Sequence, residues 1–236
     1  MSAVRRIIAD IIDLEADALP GVFIHVNEDN VFDIHVVIVG PEDTPYEGGF
    51  HFFHMKFNHK YPYQPPVVQY LTTNGRVRMN PNLYENGKVC LSILGTWEGP
   101  GWTSVMNLRS LLLSLQSILS ECPLHNEPSF ANEPSNSLLC RNYSNVVTYY
   151  NRFLAIHSVL ENPPVPHFGS TVQQHITANK PLYAKIIEKA RSEVSAIPAF
   201  VVASYGIRVT SEDKARLVKF LEASLGGLIE HDLKTN

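Results

Sequence analysis

The chain is poor in cysteine: its 236 residues include only Cys90, Cys122 and Cys140. The count is odd and no two of them form a CxxC pair, so the sequence favours neither a disulfide framework nor a zinc site. A protein that keeps its few thiols free fits a reducing compartment. The cytoplasm is therefore the expected location, and the nucleus is also open to a chain of 26.5 kDa.

Runs of basic residues and long apolar stretches are also missing. Lysine and arginine number 19 against 23 aspartate and glutamate residues, and the net charge is −4, so we expect no nucleic-acid partner. The longest apolar runs, such as 111–115, are too short to cross a bilayer, and no membrane partner is expected. Residues 1–20 carry acidic side chains within their apolar pattern, unlike a secretory signal.

Apolar residues make up 44% of the chain, which is enough for a sizeable core. From Val4 to Ile12 they recur at helical spacing on one face, with Ser2 as a candidate cap, and they predict a first helix. Four strand-like runs joined by short turn-forming segments follow, as in an antiparallel meander. These runs are Val22–Asn27, Val31–Val39, Phe50–Phe57 and Val67–Leu71.

An irregular stretch, 74–103, separates the strands from the helices, and so long a stretch usually carries function. Leucines over 108–119 then predict an amphipathic helix, with Thr103 or Ser104 as its cap. The rest of the chain has a helical pattern to its end, and the proline-rich 162–166 is the best candidate boundary. We therefore predict an α+β fold with the helices grouped on one side of an antiparallel sheet.

Cys90 lies inside this irregular stretch, and its surroundings support two interpretations. The flanking residues are apolar, which fits a small buried core residue. Against that, the turn Asn80-Pro81-Asn82 can fix the Asn82 side chain as a hydrogen-bond donor, the equipment that stabilises an acyl oxyanion. Asn86-Gly87 forces a turn that returns the chain towards Asn82, and the irregular backbone gives the sulfur a route to the surface.

A nucleophilic thiol is normally activated by a histidine, but none of the ten histidines is fixed near Cys90 by the sequence. A thiol hydrolase therefore stays an open alternative, since residues distant in sequence can meet in the fold. A cysteine that only accepts an acyl group from another thioester has less need of a base. Such an exchange is near thermoneutral, and thiolate is intrinsically nucleophilic.

Three segments, PEDTPYEGGFHFFHMKFNHKYPYQPP, NPNLYENGKVCLSIL and GWTS before a leucine-rich helix, occur in an order that resembles the ubiquitin-conjugating enzyme (UBC) domain over about 3–150. The resemblance implies the UBC fold: a four-stranded antiparallel sheet with an N-terminal helix, a central helix and C-terminal helices. KVCLSILGTW and HNEPSF are similar to segments of larger conjugating enzymes of the Z type, which carry a helical C-terminal extension. We therefore expect a UBC catalytic domain over 1–160 and a helical extension over 161–236.

The resemblance implies a transferase that needs no cofactor and leaves the use of ATP to the upstream enzyme. Cys90 would accept the C-terminal glycine of ubiquitin, or of a ubiquitin-like modifier, as a thioester from the activating enzyme. A substrate lysine, deprotonated in a partly desolvated groove, would then attack this thioester, usually with the help of a ligase. Asn82 matches the family's asparagine, which either polarises the carbonyl oxygen or stiffens the loop. On this interpretation no histidine base is found beside Cys90 because the modifier arrives as an already activated thioester.

Several positions depart from the commoner family pattern. Asn80 stands where histidine is usual, and we expect little loss because the position mainly serves as a hydrogen-bonding turn residue. Ser92 stands where many members have an acid. Asn126 or Glu127 replaces the usual aspartate across the groove, and either residue could orient the incoming lysine. Trp102-Thr103-Ser104 replaces Trp-Ser-Pro, which leaves the choice of ligase open.

Contacts with partners follow from the same resemblance. Arg5 and Arg6 match basic positions that meet the activating enzyme, although an ordinary solvated helix face explains them equally well. Tyr63 and Val105 match the two loops that contact RING and HECT ligases, and an exposed aromatic residue on a rigid proline loop is a good binding anchor. A core role for Tyr63 is the alternative.

A non-catalytic ubiquitin-binding module of the same fold is the second hypothesis beside the active enzyme. Such variants lack the cysteine, so the presence of Cys90 with Asn82 weighs against it. Cys122 and Cys140 are interpreted as structural. The apolar faces of the C-terminal extension require a partner surface. By analogy with the Z type, the extension is a hypothetical selector of the activating enzyme or the modifier.

Overall fold

The structure, a computed structural model, describes residues 2–196, 200–202 and 207–230. The first element is helix α1, Ala3–Ala16, and it begins at the predicted cap. The Ser2 hydroxyl accepts a hydrogen bond from the Arg5 N–H at 3.4 Å. This contact satisfies one of the backbone donors that the first helical turn leaves unpaired.

The buried face of α1 is rotated from the predicted one. Ile8 and Ile12 are 44% and 59% exposed, and Asp10 lies in the core instead. The Asp10 carboxylate accepts hydrogen bonds from the Tyr61 hydroxyl and from the Leu108 N–H. A buried carboxylate has to be hydrogen-bonded, so these partners fix the rotation of the helix more firmly than the apolar spacing does.

Four strands form one antiparallel sheet in the order β1-β2-β3-β4, which confirms the predicted meander. Each strand lies within one residue of its predicted bounds, because turn formers and prolines punctuate the sequence there. The strands are β1 Val22–Asn27, β2 Asn30–Val39, β3 Phe50–Lys56 and β4 Val67–Tyr70.

Helices cover both faces of this sheet, not one face as predicted. Val36 and Phe53 point into the cluster that contains α1 and the leucines of the helix predicted over 108–119. Their neighbours along the strands, Val37 and Phe52, point into a second cluster built with the C-terminal helices. All four side chains are buried because both faces of the sheet are covered. A strand in such a sheet can be apolar at every position.

Helix α2, Leu108–Ser117, begins later than predicted, because its cap is Asn107 rather than Thr103 or Ser104. Asn107 Oδ1 accepts from the Ser110 N–H at 2.9 Å, and the Asn107 N–H donates to Ser110 Oγ at 3.0 Å. This reciprocal pair satisfies two backbone donors at once and so outcompetes the earlier hydroxyls.

The chain beyond α2 is mainly helical, as predicted. Helix α3 (Leu138–Tyr150) continues through π-helical turns (Asn151–Ser158) into the short α4 (Val159–Glu161), and the predicted break follows at 162–166. Then come α5 (Gly169–Ala178), α6 (Lys180–Ala196) and α7 (Ser211–Glu230). Within the described residues no helix is both long and apolar enough to span a membrane.

A short antiparallel pair, β5 (Phe200–Val202) and β6 (Ile207–Val209), interrupts the helices between α6 and α7. The helical pattern did not predict it. The sequence there is rich in β-branched residues, which favour strands, but the segments are too short to establish a period. Residues 231–236, at the end of the predicted helical stretch, lie outside the described residues.

The segment before β3 is the point where the C-terminal helices are tied to the sheet. The Tyr183 hydroxyl of α6 donates to the Gly48 carbonyl oxygen at 3.0 Å, and the Lys189 ammonium lies 2.8 Å from the Glu47 carboxylate. Asn151 packs so closely on Gly49 that a Cβ there would lie 1.9 Å from its Oδ1 atom. Glycine is therefore required at residue 49 by packing.

His51, completely buried in β3, makes the stability of the fold depend on pH. Burial lowers the pKa of its imidazole from 6.5 to about 3, while a contact with Asn151 acts in the opposite direction. Between these two values the unfolded chain binds a proton here that the folded chain does not. The neutral, buried imidazole makes its full contribution to the free energy of unfolding above pH 6.5. Below that pH the free energy of unfolding falls by roughly 1.4 kcal/mol per pH unit, until the pH reaches about 3.

We expect His51→Leu to reduce the slope of unfolding free energy against pH by about one proton between pH 6.5 and 4. Urea unfolding at a series of pH values measures this slope separately from any loss of stability at pH 7. His59→Leu, which removes an imidazole at an exposed position, is the matched control. Equal slopes for wild type and His51→Leu would contradict the assignment.

Candidate active site

The loop around Cys90 returns the chain to Asn82, as the sequence predicts. Gly87 takes a left-handed conformation with a φ of 85°, and the Tyr84 N–H donates to the Lys88 carbonyl oxygen at 3.0 Å. The Cys90 N–H then donates to the Asn82 carbonyl oxygen at 2.9 Å, and the Asn82 side-chain amide donates to the Cys90 carbonyl oxygen. Two hydrogen bonds therefore join the predicted nucleophile to its predicted amide partner.

Asn80 anchors this turn and is completely buried. Its Nδ2 group donates to the Tyr46 hydroxyl and to the Ile118 carbonyl oxygen, each at 2.8 Å. Its Oδ1 atom accepts from the Asn82 N–H at 2.9 Å and from the Asn126 amide at 3.3 Å. The asparagine therefore fills the role of a hydrogen-bonding turn residue with both its donor and its acceptor group.

The Cys90 thiol is covered, contrary to the route to the surface that we expected from the irregular backbone. Cys90 is 1% exposed, and the Tyr84 hydroxyl interacts with its sulfur. The Arg78 guanidinium lies 3.8 Å from the centroid of the Tyr84 ring, and Lys88 Nζ lies 5.5 Å from it. Two cation–π contacts thus hold the tyrosine beside the thiol.

The surroundings of Tyr84 raise the pKa of its hydroxyl. Burial is the main cause, the Cys90 thiol and the Glu127 carboxylate add to it, and Arg78 acts in the opposite direction. The hydroxyl therefore stays protonated at neutral pH and can donate a hydrogen bond. Sequence reasoning missed this residue. The available signal was an aromatic side chain two positions after Asn82, inside the turn that returns to the cysteine.

The three residues predicted to lie in the catalytic groove, Ser92, Asn126 and Glu127, make different contacts. Asn126 Nδ2 donates to a main-chain carbonyl oxygen at the end of α2 at 2.9 Å, so its amide serves the fold. The Glu127 carboxylate is half-buried and close enough to Tyr84 to raise its pKa. Ser92 begins a 3₁₀ turn, Ser92–Leu94, and is half-buried. The Asn126 amide is therefore engaged within the fold, whereas the Glu127 carboxylate lies near the tyrosine that covers Cys90.

An open groove of about 450 Å³ lies between α1 and the two predicted partner loops, and Arg6, Tyr63 and Ser104 are among its lining residues. Tyr63 is 77% exposed, which excludes the alternative core role, and Val105, next to Ser104, is 84% exposed. An exposed tyrosine and an exposed valine on neighbouring loops form an apolar edge to this groove.

Arg6 is not an ordinary solvated side chain. It lies 2.8 Å from the Asp10 carboxylate and donates to the carbonyl oxygens of Ser104 and Met106 at 3.2 and 2.8 Å. These contacts join α1 to the loop that carries Val105. Arg5 is exposed and is therefore the more available positive charge of the two.

Two side-chain clusters among the described residues could hold a metal ion. One comprises Cys122, His125 and Cys140, and the other comprises Asp33, His35 and His54. In the second cluster the two imidazole rings stack with their centroids 4.3 Å apart, and the rings are only partly buried on the sheet. The first cluster lies in the same segment of the chain as Asn126 and Glu127.

Comparison with known proteins identifies the family. The family model described as ubiquitin-conjugating enzyme matches residues 6–152, which is more than half of the chain. The chain belongs to the ubiquitin-conjugating enzyme family, as the resemblance of its motifs implied.

Curated relatives include ubiquitin-conjugating enzyme E2 Z of Xenopus tropicalis, which is 45% identical over 159 residues, covering 67% of this chain and 50% of the relative. E2 Z of Homo sapiens is 43% identical over 159 residues, covering 66% of this chain and 44% of the relative. Probable ubiquitin-conjugating enzyme protein 17 of Caenorhabditis elegans is 37% identical over 174 residues, covering 68% and 24%. The chain thus spans about half the length of the E2 Z relatives, and the expected similarity to the Z type is confirmed.

We expect the Tyr84 side chain to limit the access of reagents to the Cys90 thiol. Tyr84→Ala should raise the rate of Cys90 alkylation by N-ethylmaleimide roughly tenfold or more, because the sulfur then reacts without a local opening. Tyr84→Phe keeps the ring and its cation–π contacts and should stay closer to wild type. Peptide mass spectrometry separates Cys90 from the other two thiols, and identical rates in all three proteins would refute this role.

Proposed function

We propose that this protein is an active conjugating enzyme that carries ubiquitin, or a ubiquitin-like modifier, as a thioester on Cys90. The observation that carries the proposal is the pair of hydrogen bonds between Asn82 and Cys90, in a chain that belongs to the conjugating enzyme family. The activating enzyme supplies the modifier as a thioester, so the Cys90 sulfur attacks an electrophile that is already activated.

The reaction consists of two acyl transfers. In the first, the Cys90 thiolate attacks the carbonyl carbon of the modifier, a new C–S bond forms, and the thiolate of the activating enzyme leaves. In the second, a neutral lysine amine of the substrate attacks the same carbon, a C–N bond replaces the C–S bond, and the Cys90 thiolate is regenerated. The proton of the amine passes to solvent or to a nearby carboxylate. A groove shielded from water favours the neutral amine.

Within this proposal, Glu127 rather than Asn126 orients the incoming lysine. The Asn126 amide is already engaged with main-chain and side-chain partners, whereas the Glu127 carboxylate is near Tyr84 and has acceptor sites to offer. A carboxylate at this place can accept a hydrogen bond from the lysine and draw the amine towards the thioester.

The same contacts favour a transferase over the two alternatives. Among the described residues no histidine hydrogen-bonds to Cys90, and a thiol hydrolase would need one to form a thiolate–imidazolium pair. A non-catalytic ubiquitin-binding module would have no use for a cysteine held by the turn that also holds Asn82. Both arguments support acyl transfer from an activated thioester.

The groove beside α1 supports contacts with the other enzymes of the pathway. Tyr63 and Val105 are exposed apolar side chains at its edge, and they are the proposed anchors for a RING or HECT ligase. Arg5 is the proposed cation for the activating enzyme, since Arg6 is engaged within the fold.

The division into a catalytic unit over 1–160 and an extension over 161–236 is part of the proposal, and the family match, which ends at residue 152, supports it. The extension helices cover the outer face of the sheet, including Val37 and Phe52. Truncation near residue 160 would uncover these side chains and destabilise the catalytic unit. The suggested role of the extension in selecting an activating enzyme or modifier is therefore better tested with substitutions at exposed positions of α5 to α7.

Incubation of the full chain with activating enzyme, ATP and ubiquitin tests the proposed activity. We expect an adduct that a thiol reductant removes, because a thioester exchanges with free thiols. Cys90→Ser should convert it into a reductant-resistant ester or abolish it. Reactions without ATP and without activating enzyme are the controls. An adduct only with a ubiquitin-like modifier would identify that modifier, and the absence of an adduct with every modifier would favour the binding module.

Asn82→Ala separates the two roles of the Asn82 amide. If the amide stabilises the oxyanion, we expect single-turnover discharge of the charged protein to free lysine to slow by about 10²–10³-fold with little change in Tm. If it only stiffens the loop, the lost contact with the Cys90 carbonyl should lower stability by about 1–3 kcal/mol and slow charging and discharge alike. Unchanged discharge together with an unchanged Tm would contradict both roles.

A further inference from the structure

The side chains of Cys122, His125 and Cys140 bring their ligand atoms within 4.8 Å of one another. The two Sγ atoms lie 3.2 Å apart, and Cys140 Sγ lies 3.9 Å from His125 Nε2. In a tetrahedral zinc site, with sulfur at about 2.3 Å and nitrogen at about 2.0–2.1 Å from the metal, the ligand atoms lie roughly 3.5–3.8 Å apart. Small side-chain shifts therefore convert this cluster into that geometry.

Two neighbouring elements fix these ligands. Cys122 directly precedes the 3₁₀ turn Pro123–Asn126, which contains His125. Cys140 lies in the first turn of α3, where its N–H is bonded to the Ser137 hydroxyl at 3.2 Å. The sequence concealed the cluster because the ligands come from a turn and a helix instead of a CxxC pair.

We propose that Cys122, His125 and Cys140 bind a zinc ion. Two thiolates and an imidazole are the soft and intermediate ligands that select zinc over calcium or magnesium. On binding, both thiols release their protons to solvent and His125 coordinates as the neutral imidazole. His125 Nε2 donates a hydrogen bond to the Glu133 carbonyl oxygen at 2.7 Å, so metal binding breaks this bond and moves the imidazole proton to Nδ1. A water molecule completes the four-coordinate shell.

A disulfide between Cys122 and Cys140 is the competing explanation for their closeness. Both cysteines are free in the structure. A disulfide would use only the two sulfur atoms of the cluster, whereas a metal ion would use all three ligand atoms, including the His125 nitrogen. The zinc site therefore accounts for more of the observed arrangement.

The zinc ion would stabilise the segment that carries Asn126 and Glu127. His125 immediately precedes Asn126 and Glu127, and Cys140 ties this segment to α3. A metal that joins the two ends of 122–140 restricts the chain much as a covalent cross-link does. This inference does not depend on the proposed function, because metal binding is measured without any conjugation partner.

Anaerobic titration of the full chain with Co²⁺ in a reducing, non-thiol buffer tests the proposal. We expect one ion per chain, with thiolate-to-cobalt charge-transfer absorption and the d–d bands of a tetrahedral site, and displacement by Zn²⁺. Cys122→Ser should weaken binding by more than the roughly 10–100-fold that loss of an outer-shell partner costs. Zn²⁺ should also raise the Tm of wild type and leave that of Cys122→Ser unchanged.

Cys90→Ser is the matched control, because it removes a cysteine that is not a ligand and should keep the wild-type cobalt spectrum. Circular dichroism verifies that Cys122→Ser, altered at a half-buried position, is folded. Wild-type protein without charge-transfer bands, or Cys122→Ser with the wild-type spectrum, would overturn the proposal. So would an intact mass that lacks two thiol hydrogens after anaerobic purification, since that would identify a disulfide. Cobalt bound without thiolate bands would point instead to the Asp33, His35 and His54 cluster and would equally overturn it.

Discussion

The hydrogen bonds of the buried Asn80 amide set the geometry around the candidate nucleophile. The amide donates to the Tyr46 hydroxyl and to the Ile118 carbonyl oxygen at the end of α2. It accepts from the Asn82 N–H and from the Asn126 amide. An amide offers its donors and acceptors in one plane, so the positions of these partners depend on one another. Moving any of them would leave a buried polar group unsatisfied, at a cost of about 1–3 kcal/mol. The segments around Cys90 are therefore held in place by the buried core, although they are irregular.

The two-faced sheet extends this dependence to the C-terminal helices. Every described position of β3 from Phe50 to Phe53 is buried, so the strand is held from the α2 side and from the α6 side at once. The segment before it carries the contacts of Glu47 and Gly48 with α6. A family match that ends before these helices therefore does not delimit an independent folding unit. The helices that follow the family domain stabilise the strands on which it is built.

The parts of the fold that follow from local chemistry could be predicted from the sequence, and those set by distant contacts could not. Strand bounds follow from turn formers, and the return of the chain from Cys90 to Asn82 follows from Asn86-Gly87. The rotation of α1 escaped prediction because it depends on a buried Asp10, whose partners come from far along the chain. The helices on the outer face escaped it because an all-apolar strand does not reveal what covers each side. Tyr84 was not predicted although Arg78 and Lys88, which hold its ring by cation–π contacts, are near in sequence, because an irregular loop has no period that shows which side chains meet.

A covered thiol is consistent with transfer from an activated thioester. A histidine-activated nucleophile has to be a thiolate in the resting enzyme, and a permanently exposed thiolate is open to oxidation and alkylation. Cys90 has no such partner among the described residues and is almost completely buried. Its neighbour Tyr84 keeps its proton and can donate to the sulfur once the thiolate forms, while Arg78 and Lys88 bring positive charge to the same ring. Under the proposed function, reactivity would be governed by uncovering the sulfur rather than by a resident base. The free energy of uncovering would then come from docking of the partner that carries the thioester, which would couple the chemistry of this cysteine to the identity of that partner.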